Sequence, residues 1–405
     1  MLSAFFQQVS LYLSLALCQL TSLGCAYGAE SIEVPTNLHI QLPAGFQISV
    51  FAKLGGNYGQ PRMMAIDNLG QLYVGLASSN QVAMLPDINA DGVAEAPVII
   101  ASNLNSPNSL VLVDNTMLIA NQDGVVRLTR KEGKWSSPQP FISNLAIGHH
   151  TQKTLKLGPD KHLYINIGSS CNVCVEENAT RATIQRYTLE GKAAGSLVTL
   201  GRHAPDPTWA KGLRNSQGFA WHPKTGAMFA TNNGSDMRSS SKNGKVNDEI
   251  PPEHLNKIEP GKHYGWPYCW ANPDNLNTLI QDPNFVGADN FCQTAAPPAI
   301  TFISHSTPIG ISFLDKTNWP ADYKNDAIVA LHGSWNRQNP SGYKLVRIKF
   351  NGDIPVEVSD FATGWLTEKG VWGRPTDVIV GADGALYVSD DRTGYIYRIT
   401  YPSNP

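Results

Sequence analysis

One phrase recurs six times along this chain: an apolar strand, a polar turn holding Asp or Asn with Gly, and a second strand ending in an aromatic or β-branched pair. The copies start at Met64, Leu110, Leu155, Gly218, Gly310 and Val378, and their second strands close on Val74, Ile119, Ile165, Ala230, Ala330 and Val388. Most copies are followed by further short strands, at 81–84, 125–128, 184–187, 343–348 and 395–399. Four short strands per unit, repeated, is the pattern of a propeller blade, and the first two intervals fall near the ~40–50 residues that one blade occupies. The later intervals are longer and must carry insertions. The expectation is therefore an all-β chain folded as a six-bladed β-propeller with long loop insertions on one face. A two-sheet sandwich has no reason to repeat one turn phrase six times.

Composition agrees with a turn-rich β architecture: 35 Gly and 27 Pro stand among 405 residues, and only 16% of the chain is charged. A formal net charge of −2, with no long basic or acidic block, argues against nucleic acid and anionic membrane as partners. Residues 1–28 contain no Asp, Glu, Lys or Arg, and their apolar stretch 11–20 is too short to span a bilayer. With Ala26-Tyr27-Gly28 as a small-x-small cleavage site, they read as an export signal peptide, leaving 29–405 as a single propeller domain in the periplasm or outside the cell. Ser22-Leu23-Gly24-Cys25 offers a second reading, a lipoprotein box, and the chain meets a membrane only if Cys25 is lipid-anchored. Cys171, Cys174, Cys269 and Cys292 follow the leader. In an oxidising compartment the favoured pairing is local, Cys171 with Cys174 and Cys269 with Cys292, although four cysteines allow three connectivities.

Three long polar insertions, 141–154, 202–217 and 231–266, lie where the innermost strands of a propeller begin, and so where a central funnel opens. The first ends with His149-His150, a neutral-pH base if a neighbour fixes its tautomer and otherwise a water-satisfied surface pair. The second carries Arg214-Asn215, a fork for an anion beside a bifunctional amide. The third holds Asn233-Gly234-Ser235-Asp236, then Asn247-Asp248-Glu249 and Tyr264-Gly265-Trp266-Pro267. These offer oxygen ligands for a hard cation and aromatic walls for a sugar.

Taken together, Gly212-Leu213-Arg214-Asn215-Ser216-Gln217-Gly218, Asn247-Asp248-Glu249, Tyr264-Gly265-Trp266-Pro267, 331–337 (Leu-His-Gly-Ser-Trp-Asn-Arg) and Gly373-Arg374-Pro375-Thr376-Asp377-Val378 resemble the glucose/sorbosone dehydrogenase family. That resemblance spans roughly 42–401. It implies an exported six-bladed propeller that uses pyrroloquinoline quinone (PQQ) and calcium to oxidise an aldose or sorbosone-type sugar, a small-molecule substrate, and passes electrons to an external acceptor such as a cytochrome or quinone. On this resemblance His150 removes the C1 hydroxyl proton while hydride passes to the quinone. Arg214 stabilises the charge that develops, Asn215 and Arg374 hold the cofactor, and calcium sits on the backbone oxygens of Gly234 and Ser235. The chain departs from the family in three places. His149 replaces an acidic neighbour of the base and Thr376 replaces a second arginine. The segment that supplies a cofactor lysine reads His332 to Arg337, which makes His332 and Arg337 the candidate cofactor contacts, with Arg62 of Gln60-Pro61-Arg62 supplying the missing charge.

A separate signal is Asp87-Ile88-Asn89-Ala90-Asp91-Gly92, whose alternating oxygens read either as a structural calcium site on Asp87, Asn89 and Asp91 or as an Asx-rich hairpin turn. Asn178-Ala179-Thr180 and Asn233-Gly234-Ser235 fit glycosylation acceptors. Two other functions stay open on the residues alone: a metal-dependent lactonase, which needs an axial cluster of carboxylates, and a non-catalytic propeller that binds carbohydrate or protein.

Overall fold

The structure, a computed structural model, describes residues 39–55, 59–196 and 207–402, all within the compact unit Val34–Pro405. The leader, with Cys18 and Cys25, lies outside the described residues, as does the start of the 202–217 insertion.

Six antiparallel sheets form six blades, and nearly all regular structure is strand. Their innermost strands are Pro61–Ile66, Ser109–Val113, Leu155–Leu157, Phe219–Trp221, Pro308–Phe313 and Pro375–Val380; the second strands are Leu72–Leu76, Thr116–Ala120, Leu163–Ile167, Met228–Asn232, Ala327–Leu331 and Leu386–Asp390. Each second strand is packed from both sides by neighbouring blades, so Leu163–Ile167 and Ala327–Leu331 are buried at every position. That is why these strands read as continuous apolar runs rather than as alternations. Six hydrophobic clusters, one between each pair of adjacent blades, make up the main core; between blades 6 and 1, for example, Phe51 and Tyr387 of blade 6, edge to face at 4.9 Å, share a cluster with Met64, Leu72 and Val74 of blade 1.

Hydrogen bonds stitch adjacent blades into a closed ring. Met63 donates to Asn108 O, Leu155 to Ser109 Oγ, Leu213 to Ala182 O, Thr231 Oγ1 to Ile309 O, Asn318 to Gly384 O, and Met64 to Asp377 Oδ2. The ring closes through the N-terminal strand Gln47–Lys53, which pairs with Tyr395–Thr400 as the fourth strand of blade 6. Glu253–Ile258, inside the segment expected to be an insertion over 231–266, is the third strand of blade 4. Both cysteine pairs form as expected, Cys171–Cys174 and Cys269–Cys292.

Candidate active site

Antiparallel pairing places the start of every innermost strand and the end of every second strand on the same rim. Arg62, the 150–154 segment, Arg214–Gln217 and Arg374 enter that rim from the first set. Ser169, 232–236, His332 and Asp390-Asp391 enter it from the second.

His150 and Arg214 meet on this rim through Ser169. The Ser169 amide donates to Arg214 O at 2.9 Å, the His150 amide donates to Ser169 O at 3.2 Å, and His150 Nδ1 lies 2.8 Å from Ser169 Oγ. The single hydroxyl proton of Ser169 is donated to Cys171 O at 2.7 Å, so Ser169 Oγ can only accept from the ring. Ser169 O, 3.2 Å from Nδ1, is a second acceptor, so Nδ1 carries the proton, and Nε2 keeps its lone pair with no hydrogen-bond partner among the described residues. Burial, then the Arg214 charge, then His149 push the His150 pKa down to about 3, which holds the ring neutral. His149 packs edge to face on His150, with ring centroids 4.5 Å apart.

Arg214 is buried at 3% exposure, and three of its five N–H donors are assigned: Nε to Asn172 O at 3.1 Å, Nη2 to Asn172 Oδ1 at 2.9 Å and to Asp236 Oδ2 at 2.8 Å. Asp236 Oδ1 accepts from Asn336 Nδ2 at 2.9 Å and lies 3.6 Å from His305 Nδ1. Burial works to raise the Asp236 carboxyl, but His305 and Arg214 outweigh it and hold Asp236 below its usual range. It is the fixed counter-charge of this half of the site.

The other half joins blades 1, 4, 5 and 6, with Asn108 at the start of blade 2 behind Arg62. Arg62 donates to Asn108 Oδ1 and Gln217 Oε1, both at 3.0 Å, and pairs with Asp391 at 2.5 Å. His332 Nε2 reaches the other Asp391 oxygen at 2.8 Å. Arg374 donates to the carbonyls of His332 and Gly333, which leaves its Nη1 uncommitted among the described residues. The set Arg62, Arg374, Asp391 and a neutral, buried His332 leaves one net positive charge facing the rim. Arg337 stands apart from this group; it bonds Glu249 and Ser304 O and ties two loops together.

Gly234 and Ser235 follow the second strand of blade 4. The Gly234 amide donates to the buried Glu253 carboxyl, which burial raises to about 7. Among the described residues nothing donates to the carbonyls of Gly234 and Ser235, and the nearby Oδ1 atoms of Asn215 and Asn233 are buried without a donor. Undonated oxygens of this kind suit a hard cation or the N–H of a bound heterocycle.

The Asp87–Asp91 turn lies on the opposite rim, between the third and fourth strands of blade 1. Its side chains satisfy its own backbone: Asp87 accepts from the amides of Asp91 and Gly92, Asn89 from Asp91, and Asp91 from Val93. Among the described residues, the one group of three or more His, Cys, Asp or Glu ligands close enough to share an ion is Cys171, Cys174 and Glu176, whose sulfurs are joined to each other.

Ser169, Asn172, Asp391 and Glu253 were not singled out from the sequence. Ser169 and Asp391 lie just beyond the ends of second strands, and Glu253 opens the third strand of blade 4. Aligning blade ends by register, rather than looking for motifs, is the signal that finds them.

Three comparisons bear on this site. An uncharacterised protein of Borreliella burgdorferi is 27% identical over 382 residues, covering 89% of this chain and 91% of that protein. A pyrroloquinoline quinone-dependent pyranose dehydrogenase of Coprinopsis cinerea is 27% identical over 285 residues, 60% of this chain but 38% of that longer protein. The calcium structure of a Trichoderma reesei enzyme of carbohydrate-active family AA12 superposes with a TM-score of 0.77 at 20% identity, over 91% of this chain and 98% of that one, and shares the propeller fold. The TrAA12-like family model matches residues 40–402, so the blades and the whole rim just described lie inside the match, and the chain belongs to the TrAA12-like family.

Proposed function

We propose that this protein is a PQQ-dependent sugar dehydrogenase that oxidises an aldose or sorbosone-type sugar at C1 and hands the electrons to an external acceptor. The observation that carries this reading is a neutral imidazole with a free Nε2 beside a buried, counter-charged guanidinium, on one rim with a cationic set and undonated amide oxygens. The name of the Coprinopsis relative supports the cofactor and the substrate class.

The residues fit the cofactor. Arg374 through Nη1, with Arg62 and His332 behind it, faces a carboxylate, while Asn215 offers a buried acceptor. The carbonyls of Gly234 and Ser235 fit calcium. When bound, PQQ supplies an ortho-quinone that takes up a hydride. His150 Nε2 removes the C1 hydroxyl proton, and Nδ1–H, held by Ser169, stabilises the imidazolium that results. Arg214, locked by Asn172 and Asp236, presents fixed positive charge where negative charge develops and needs no rearrangement to do so. Arg337 positions the loop that carries His332 and Asn336 rather than meeting the ligand.

The axial carboxylate cluster that a lactonase needs does not form among the described residues. Two local disulfides support an exported protein, periplasmic or extracellular, as the leader suggests. The test is to add PQQ and calcium to purified apoprotein and follow dye reduction with a panel of sugars. Sugar-dependent reduction that His150→Ala abolishes, with cofactor uptake intact, supports the reading. Lactone hydrolysis without PQQ, or glycan binding with neither activity, replaces it.

A further inference from the structure

One short turn, 171–174, that no strand supports holds Arg214 and reaches His150 through Ser169: the loop 168–182 contains no strand. Cys171 O takes the Ser169 hydroxyl proton and so fixes the Oγ on which His150 Nδ1 rests, while Ser169 O, 3.2 Å from Nδ1, keeps the ring proton on Nδ1. Asn172 governs Arg214. Its carbonyl accepts from Arg214 Nε and from Trp266 Nε1, both at 3.1 Å, and its Oδ1 accepts from Arg214 Nη2 at 2.9 Å and from the Asp236 amide at 2.8 Å. Its Nδ2 donates to Asp236 O at 2.8 Å, so Asn172 also places the carboxylate that neutralises Arg214.

A four-residue turn in a strandless loop has many conformations to lose, and only the Cys171–Cys174 disulfide closes this one covalently. We propose that the disulfide-closed turn 171–174 is the positioning clamp of the site, with Asn172 as the positioning residue for Arg214 and Cys171 O as the group that anchors the Ser169 hydroxyl against His150. This rests on the roles given to His150 and Arg214 above. Packing alone does not account for the arrangement. A disulfide that served only stability would not need a residue between its cysteines to satisfy a buried arginine and that arginine's counter-ion with four hydrogen bonds.

The experiment compares Cys171→Ser/Cys174→Ser and Asn172→Ala with the wild type, using Cys269→Ser/Cys292→Ser as the control for loss of a disulfide elsewhere. Asn172→Ala keeps the disulfide and is the variant to read if the double serine change fails to fold. PQQ uptake is followed by absorbance, turnover by dye reduction, and the Arg214 Nε–H, which Asn172 O binds, by nitrogen-15 NMR of the apoprotein, assigned against Arg214→Lys. With the clamp opened, kcat falls about 10- to 100-fold while PQQ uptake persists, since misplacement on the ångström scale costs on that order. In the Cys171→Ser/Cys174→Ser protein the Arg214 Nε–H also exchanges with solvent faster; the control moves neither. An unchanged kcat in both variants, or an Arg214 Nε–H that exchanges as slowly once the disulfide is gone, overturns the clamp. A wild type that takes up no PQQ refutes the functional reading instead, and the Arg214 exchange rate in the apoprotein still decides the clamp.

Discussion

At Glu253 and His150 burial acts on two ionisable groups with opposite consequences for stability. Glu253 is raised to about 7 from 4.5, so between those values the folded chain binds more protons than the unfolded one and stability falls as pH rises. Glu253→Gln keeps the acceptor for the Gly234 amide and removes the charge. The apoprotein carrying it should melt higher than wild type at pH 8.5, and the two melting curves should converge as pH falls to about 4.5. His150 is the reverse case. Its folded value near 3 lies below the 6.5 of a free imidazole, so the unfolded chain takes the proton first and stability is lost as pH falls from 6.5 toward 3. His150→Gln should flatten that acid limb of the apoprotein Tm. In the loaded enzyme the same change should lower kcat by about 10²- to 10⁴-fold, the usual worth of a general base, with PQQ uptake retained.

At the scale of the strand, the clearest consequence concerns Gln47–Lys53. This segment closes the ring: it supplies the fourth strand of blade 6, and its Phe51, 2% exposed, fills the wedge between blades 6 and 1. A chain starting at Gly55 should therefore lose its cooperative melt altogether, whereas Phe51→Ala in the full chain should keep a single transition lowered by about 3–5 kcal/mol. Circular dichroism and calorimetry separate the two outcomes. The same strand shows what could be read from the chain alone. The strand–turn–strand phrase is local, a property of neighbouring residues, so all six inner hairpins were legible. The closing strand pairs with Tyr395–Thr400, and nothing in a local pattern states a partner that far away. Glu253–Ile258 was hidden for another reason: Glu253, His254 and Asn256 put polar groups into a buried strand, which periodicity reads as loop. In the site, Arg214, Asn215 and His150 stood out because their motifs are contiguous. Asn172 and Asp391 did not, because their importance lies in which blade end faces which.

On the scale of the whole ring, the site is a shared property of five blades. Arg62 comes from blade 1, His150 and Asn172 from blade 3, Arg214 and Asp236 from blade 4, His332 from blade 5, and Arg374 and Asp391 from blade 6. A ligand that spans these residues braces the blades against one another, so it should stabilise the global transition rather than one loop. At 100 times Kd a single bound ligand adds about 2.7 kcal/mol, which for a domain of this size is a rise of roughly 3 °C in Tm. The order of addition then distinguishes where calcium acts. If it sits on Gly234 and Ser235 together with atoms of PQQ, calcium alone should move Tm little, and calcium with PQQ should exceed the sum of the two separate shifts. Were calcium to act through Asp87, Asn89 and Asp91 on the far rim, its shift would be the same with or without PQQ, and Asp87→Ala would abolish it. The side chains of that turn already cap its own amides, and the carbonyls of Gly234 and Ser235 receive no donor among the described residues, so the expected result is the coupled one: a calcium shift that appears with PQQ and survives Asp87→Ala.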